Sequence, residues 1–369
     1  MKAYVYTDRS LERYAGRFVW LSINTEDAKN AAFLGKYKIP ALPTLMVLDA
    51  KREVAALRHV GGVSVAQLGK LLDEARAAPR SDADALVSRG DKLAGEGNQE
   101  EAARLYGAAI DAAPKGWTRF ARTAEGLVLA LSLTGKNEEC ATRAEALYPK
   151  LAGTPSGASI AAMGLGCATE LKDREPLVAF FEKETRLQLE NPKLDISDDD
   201  RSGIYITLIG ARETAKDEEG AIALRKEWAA FLEGAAARAT TPEQRTVYDS
   251  HRISAYLELG TPEKAIPMLE QSARDFPDDY NPHARMAVAY RAMKRYDEAI
   301  AASDRALRIS YGPRKLGQLR TRADIYTDMG NREAARKTIQ EAIDYAKSLP
   351  KEQVRASTIA ALEKKLSEM

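Results

Sequence analysis

The clearest regularity in the chain is a spacing of small and apolar positions that returns every 34 residues near its C-terminal end. Ala265 is followed at offsets of four, seven and twelve by Leu269, Ser272 and Pro277, and the spacing recurs 34 positions later at Ala299, Ser303 and Ala306. Twelve residues before each of these alanines stand Ile253 and Ala287, each followed three places on by a tyrosine, Tyr256 and Tyr290. A third copy has Ala323, Tyr326, Ala335, Ile339 and Ala342, displaced to 36 residues by the insertion around Tyr311-Gly312-Pro313. An earlier copy has Gly90, Leu93, Ala102, Tyr106, Ala109 and Pro114. Steps of three and four residues place these positions on one face of a helix, and small residues on that face let two helix backbones approach closely. Turn sequences such as Gly97-Asn98, Gly135-Lys136-Asn137, Leu259-Gly260-Thr261-Pro262 and Gly330-Asn331 end one helix and start the next, while Pro114, Pro149 and Pro277 stop second helices. The pattern predicts stacked helical hairpins.

The first 78 residues follow another rule. Phe18–Ile23 is a short apolar run of the kind buried on both faces of a sheet, and Thr25–Lys38 reads as a helix with Thr25 as its cap. Strands are expected at Thr44–Leu48 and Glu53–His59, joined by a turn over Asp49–Arg52. Gly61-Gly62 breaks the second strand, and a helix over Ser64–Ala78 closes the segment. The predicted fold class is therefore α+β overall and predominantly α, with a small α/β unit ahead of a helical array. The expected boundaries are 1–78, a linker at 79–84, and repeats over 85–369.

The repeated residues resemble tetratricopeptide repeats, closely over 85–114 and 247–345 and more loosely over 118–241, where Cys140, Leu177 and Ala221 occupy the small or apolar position. The resemblance implies a right-handed solenoid whose concave face binds a peptide or protein. The carboxylate-clamp subtype is not supported, because Val87, Asp91, Gly317 and Thr321 stand where its Lys and Asn would be. Arg285, Arg291 and Arg320 fall on or near the inner helices and are candidate contacts for an acidic ligand, the plain alternative being a solvated helix face.

Residues 1–78, with Ile39-Pro40-Ala41-Leu42-Pro43-Thr44, look like the second half of a thioredoxin-family domain. The resemblance puts Pro43 at the family's cis-proline and makes Leu42, Pro43 and Thr44 a candidate peptide-binding loop. The Cys-x-x-Cys on which that family's chemistry depends is absent from the chain. An upstream extension carrying it, with or without a signal peptide, is the alternative expectation. It would make the protein a thiol–disulfide oxidoreductase, periplasmic or secreted if a signal peptide comes with it, whereas as written the chain is expected to be redox-inactive and cytoplasmic.

Composition narrows the function further. Lys and Arg number 55 against 54 Asp and Glu, a formal net charge of +1, so bulk electrostatics attracts neither nucleic acid nor anionic lipid. No apolar run is long enough to span a bilayer, and the N-terminus does not read as a signal peptide. Cys140 and Cys167 are expected to be buried thiols packing as small hydrophobes. Asp195–Gly203 partly imitates a calcium loop, but Ile209 stands where the bidentate Glu belongs, and an acidic helix cap is the better reading. His59, His251 and His283 are scattered, and Gly164-Leu165-Gly166 has no third glycine. No catalytic residue, metal or cofactor is expected. The expected partner is a protein or peptide, with self-association of the repeats also possible.

Overall fold

The computed structural model describes residues 1–77 and 79–369. Contacts divide it into two compact units: Met1–Arg17 with Tyr37–Trp228, and Phe18–Lys36 with Ala229–Met369. The division does not follow the boundary expected near residue 78.

In the first unit an antiparallel hairpin pairs β1 (Thr44–Asp49) with β2 (Val54–Val60), Thr44 opposite Val60 and Val47 opposite Leu57, with an irregularity between Val47 and Leu48. Asp49 Oδ1 accepts from the Lys51 and Arg52 amides and so shapes the connecting turn. The Leu42–Pro43 peptide bond is cis. The following helix is labelled α2 (Val65–Arg76), α1 (Ala31–Lys36) belonging to the second unit. A reciprocal capping box starts α2: Ser64 Oγ accepts from the Gln67 amide, and Gln67 Oε1 accepts from the Ser64 amide. The helix ends at Arg76, and Ala78, expected as its last residue, lies outside the described residues.

The helical hairpins begin at Asp82, inside the expected linker, because Ser81 caps the helix there. They run α3 (Asp82–Glu96) with α4 (Gln99–Asp111), α5 (Phe120–Leu133) with α6 (Asn137–Leu147), α7 (Pro155–Thr169) with α8 (Glu175–Glu190), and α9 (Asp198–Thr214) with α10 (Glu218–Ala237). Gly97, at φ +92°, ends α3 in a left-handed conformation that a residue with a Cβ rarely adopts, and Asn98 at once caps α4. The close approach predicted from small residues is visible. A Cβ on Gly90 would lie 2.7 Å from the Tyr106 ring, and one on Gly164 would lie 2.5 Å from the fully buried Phe181. The second pair shows the small-against-large rule persisting in the divergent middle of the chain. The acidic loop does cap a helix: Ser197 Oγ accepts from the Asp200 amide at the start of α9, Asp200 Oδ1 accepts from the Gly62 amide, and Asp195 accepts from Ser64 Oγ.

One expectation fails here with a clear physical reason. Cys140 of α6 and Cys167 of α7 are not separate thiols but a disulfide, their Cα atoms 6.1 Å apart. The stacking of consecutive hairpins brings the facing surfaces of α6 and α7 together, so two buried positions 27 residues apart in sequence become neighbours in space.

The second unit holds α11 (Pro242–Thr246), α12 (Asp249–Glu258), α13 (Ala265–Asp275), α14 (Tyr280–Ala292), α15 (Tyr296–Ile309), α16 (Gly312–Asp328), α17 (Arg332–Ser348) and α18 (Ala356–Glu368). The repeat positions form its core: Ala265, Leu269, Ala287, Ala299, Ala306, Ala323, Ala335, Ile339 and Ala342 are all essentially inaccessible to solvent. Leu316, Leu319, Ile343 and Leu362 complete a cluster joining α16, α17 and α18.

The expected strand at Phe18–Ile23 does not form; the segment has no regular secondary structure, and Val19 and Leu21 are 87% and 73% exposed. A strand is stable only against neighbouring strands, and the described sheet contains only β1 and β2. The helix expected over Thr25–Lys38 is also shorter. A 3₁₀ turn, Ala28–Asn30, capped by Asp27 rather than Thr25, leads into α1. Asn24 Oδ1 accepts from the Glu26 amide, a local bond that competes with helix formation at that point.

Candidate functional site

The three arginines singled out in the sequence meet different fates. Arg291, near the end of α14, reaches α16 and is held there: its Nε lies 2.6 Å from Asp328 Oδ2 and its Nη1 3.4 Å from Asp324 Oδ2, while Lys365 of α18 also pairs with Asp324. It is a strut between repeats. Arg320 on α16 is exposed. Arg285 on α14 is half-buried and makes no hydrogen bond or ion pair among the described residues.

The surroundings of Arg285 explain its state. Burial lowers the affinity of the guanidinium for its proton, and the nearby carboxylates of Asp249 and Asp279 oppose that effect. Asp249, at the start of α12, is 1% exposed; its Oδ2 accepts from Ser272 Oγ at 2.5 Å, while its Oδ1 is buried with no hydrogen-bond partner among the described residues. Burial raises the Asp249 carboxyl from its ordinary value, against the effect of the Ser272 bond and of Arg285. Arg285 on α14 therefore keeps guanidinium donors that no other described residue uses, close to the buried Asp249 of α12. Five N–H donors in a fixed plane suit a carboxylate.

His283, two residues before Arg285, lies beside Asp279, Arg305 and Arg308, and its Nδ1 is buried with no hydrogen-bond partner among the described residues. Burial and the two arginines lower its pKa. Because the folded-state pKa is depressed, the unfolded chain binds the proton more readily once the pH drops below about 6.5. The stability of this unit should accordingly be unaffected by His283 above that value and fall as the pH is lowered through it. Denaturant titrations at pH 7.5 and pH 5.5 on the native chain and His283→Gln should show a smaller acid loss in the variant.

In the first unit, Leu42 is 59% exposed beside the cis bond, the Pro43 carbonyl accepts from the Gly61 amide, and Thr44 begins the ladder opposite Val60. These residues thus form one corner of the hairpin, in a different compact unit from the arginines.

Sequence reading missed a buried ionic cluster where α2, α3, α4 and α5 meet. The fully buried Asp91 accepts from Arg122 Nη1 through both oxygens, at 3.1 and 3.0 Å, and from Tyr106 Oη at 2.8 Å. Arg122 also pairs with Glu74, and Arg119 lies 3.5 Å from Glu74 and 3.3 Å from Asp84. Burial works against the Arg122 charge, yet Asp91 and Glu74 beside it hold its pKa above the ordinary arginine value. Asp91 stands at a carboxylate-clamp position of the repeat, and the structure commits it to the interior. The only sequence signal was a polar residue on a face that the periodicity marks as buried.

Residues 280–348 match the family model described as tetratricopeptide repeat. No curated protein matches the chain. Among solved structures, a tetratricopeptide repeat protein from Parabacteroides merdae ATCC 43184 is 12% identical, with 77% of this chain and 98% of that one covered and a TM-score of 0.50. A Rap protein complexed with Competence and Sporulation Factor is 12% identical over 81% of this chain and 80% of its own, with a TM-score of 0.41. The complex of the TPR2AB domain of yeast Sti1 with pHSP90 is 14% identical over 77% and 98%, with a TM-score of 0.29. No helix of the described residues is long and apolar enough to cross a membrane. Helical hairpins with small residues at their 34-residue positions, the family match over 280–348 and the fold shared with the P. merdae protein together identify residues 280–348 as tetratricopeptide repeats within a helical-hairpin array of that fold.

Proposed function

We propose that this protein is an interaction scaffold that holds an acidic peptide or protein segment against the inner helices of its repeats, and that its N-terminal thioredoxin-like segment, residues 1–78, is redox-inactive. The observation that carries this reading is Arg285. It is half-buried and close to Asp249, yet without a hydrogen bond of its own among the described residues, whereas Arg291 is fully engaged by Asp324 and Asp328. Stacked repeats build extended binding faces, and a cation with unused donors on such a face favours a carboxylate ligand. Arg320, exposed on the next inner helix, would extend the contact. In the hairpin, Leu42, Pro43 and Thr44 would offer a second, weaker peptide contact.

Fluorescence anisotropy with labelled Glu-rich, neutral and Lys-rich decapeptides tests the reading on the whole chain. The Glu-rich peptide should bind best, and Arg285→Ala should weaken it by about tenfold or more, the range expected for losing a charge-assisted bond. Equal binding of the three peptides, or no effect of Arg285→Ala, would reject it. An insulin-reduction assay on the same chain should give no activity above background; turnover would favour a thiol–disulfide oxidoreductase instead.

A further inference from the structure

The second unit already holds a peptide turn, and the turn is a piece of this chain. Residues 18–36 belong to the unit formed by Ala229–Met369, although Arg17 and Tyr37 at either end belong to the other one. Within the segment, three consecutive residues are each held by the repeats. Asn24 Nδ2 donates to Tyr311 Oη at 2.8 Å. The Thr25 carbonyl accepts from Gln353 Nε2 at 3.2 Å. The Glu26 carboxylate accepts from Tyr280 Oη at 3.0 and 3.1 Å and pairs with Arg314 Nε at 3.3 Å.

The receiving surface is shaped for a backbone as well as for side chains. Gly312, at φ +58°, opens α16, and a Cβ there would lie 2.1 Å from the Glu26 carbonyl oxygen. The site therefore needs glycine for two reasons: its left-handed backbone and the close approach of a peptide carbonyl. An open hollow of about 530 Å³ adjoins these contacts, lined by Asn24, Glu26, Tyr280, Asn281 and Tyr311 with the Asp275–Asp279 loop. The flanking residues 18–23 have no regular structure, and Val19, Leu21 and the Arg314 side chain remain largely exposed, so solvent reaches both the segment and a group that holds it.

We propose that Tyr280, Tyr311, Gly312, Arg314 and Gln353 form a peptide-reading site for an acidic turn with an Asn-x-Glu pattern, occupied by the chain's own Asn24–Glu26 until a partner segment of the same chemistry displaces it. The proposal deepens the scaffold reading by naming a ligand pattern, but Arg285 makes none of these contacts, so the two tests fail independently. As a tethered occupant, the internal segment competes at a high effective concentration, and a partner peptide binds well only once that competition is removed.

The test uses the whole chain and a labelled synthetic peptide of residues 18–36. The peptide should bind the Asn24→Ala/Glu26→Gln variant at least tenfold more tightly than the native chain, and adding Tyr280→Phe should weaken that binding by about tenfold or more. Equal affinity for the native and emptied chains, or indifference to Tyr280→Phe, overturns the proposal. If the emptied variant does not fold, hydrogen exchange on the native chain decides. Excess peptide should accelerate exchange of the amides from Asn24 to Asn30, and unchanged protection overturns the proposal.

Discussion

Removing the Cys140–Cys167 disulfide should lower the stability of the first unit by about 3.5 kcal/mol, the chain-entropy value for a loop of this length. The bond closes a loop with a sequence separation of 27 and joins helices of consecutive hairpins, α6 and α7. Both cysteines are nearly inaccessible, at 0% and 2% exposure. A thiolate must reach a sulfur to exchange with it, so mild reductant should leave the native protein oxidised until local unfolding exposes the bond. Thiol titration of the native chain should therefore find no reactive cysteine, and titration after denaturation in reductant should find two. In a repeat array each hairpin is stabilised mainly by its neighbours, so the loss should concentrate in α5 to α8. A Cys140→Ala/Cys167→Ala variant, followed by circular dichroism against denaturant, should unfold these helices before the rest of the unit. At about 2–4 °C per kcal/mol for a unit of this size, a melting shift near 10 °C is expected. A shift below about 2 °C, or two free thiols in the native protein, would show that the bond contributes nothing.

That disulfide also marks where sequence reading stops. The repeat period was legible because it reflects a local rule: small residues at fixed steps along one helix face. Ala265, Ala299 and Ala335 are buried as the rule requires. The hairpin of β1 and β2 and the start of a helix at Ser64 were legible for the same reason, since turn and helix-start chemistry lies within a few residues. Pairing of Cys140 with Cys167 depends instead on which helix faces stack, a property of several hairpins together. Phe18–Ile23 shows the converse. Its apolar run satisfies the local rule for a buried strand, yet a strand exists only where other strands receive it, and here the segment is left without one. The hold of Tyr280 and Arg314 on Glu26 spans more than 250 positions and has no local signature at all. At the candidate site, sequence singled out the three arginines but could not distinguish Arg291, consumed by Asp324 and Asp328, from Arg285, which is not.

Arg122→Met should destabilise the first unit by about 3 kcal/mol, near the lower end of the range for breaking a buried ion pair from one side. The loss comes less from the missing attraction than from what remains. Asp91 is fully buried, and without Arg122 it keeps only the Tyr106 hydroxyl as a partner. Arg58 moderates the effect, because it lies close enough to act on both Asp91 and Tyr106, and its Nε and Nη2 are buried with no hydrogen-bond partner among the described residues. Removing both charges, in Asp91→Asn/Arg122→Met, should therefore cost less than Arg122→Met alone, a non-additivity expected only of residues in direct contact. The pH dependence gives an independent check. Burial already raises the Asp91 carboxyl, and losing the arginine raises it further. With the folded-state pKa above the unfolded value of about 3.9, the folded variant binds the proton more tightly, so its deficit should be smallest near pH 4 and grow as the pH rises through the folded-state pKa. Urea titrations of the native chain, the two single variants and the double variant at pH 4.5 and pH 7.5 would measure both effects. Additive costs that do not change with pH would mean that Asp91 and Arg122 stabilise the helices separately, and that their contact is incidental to the packing of these helices.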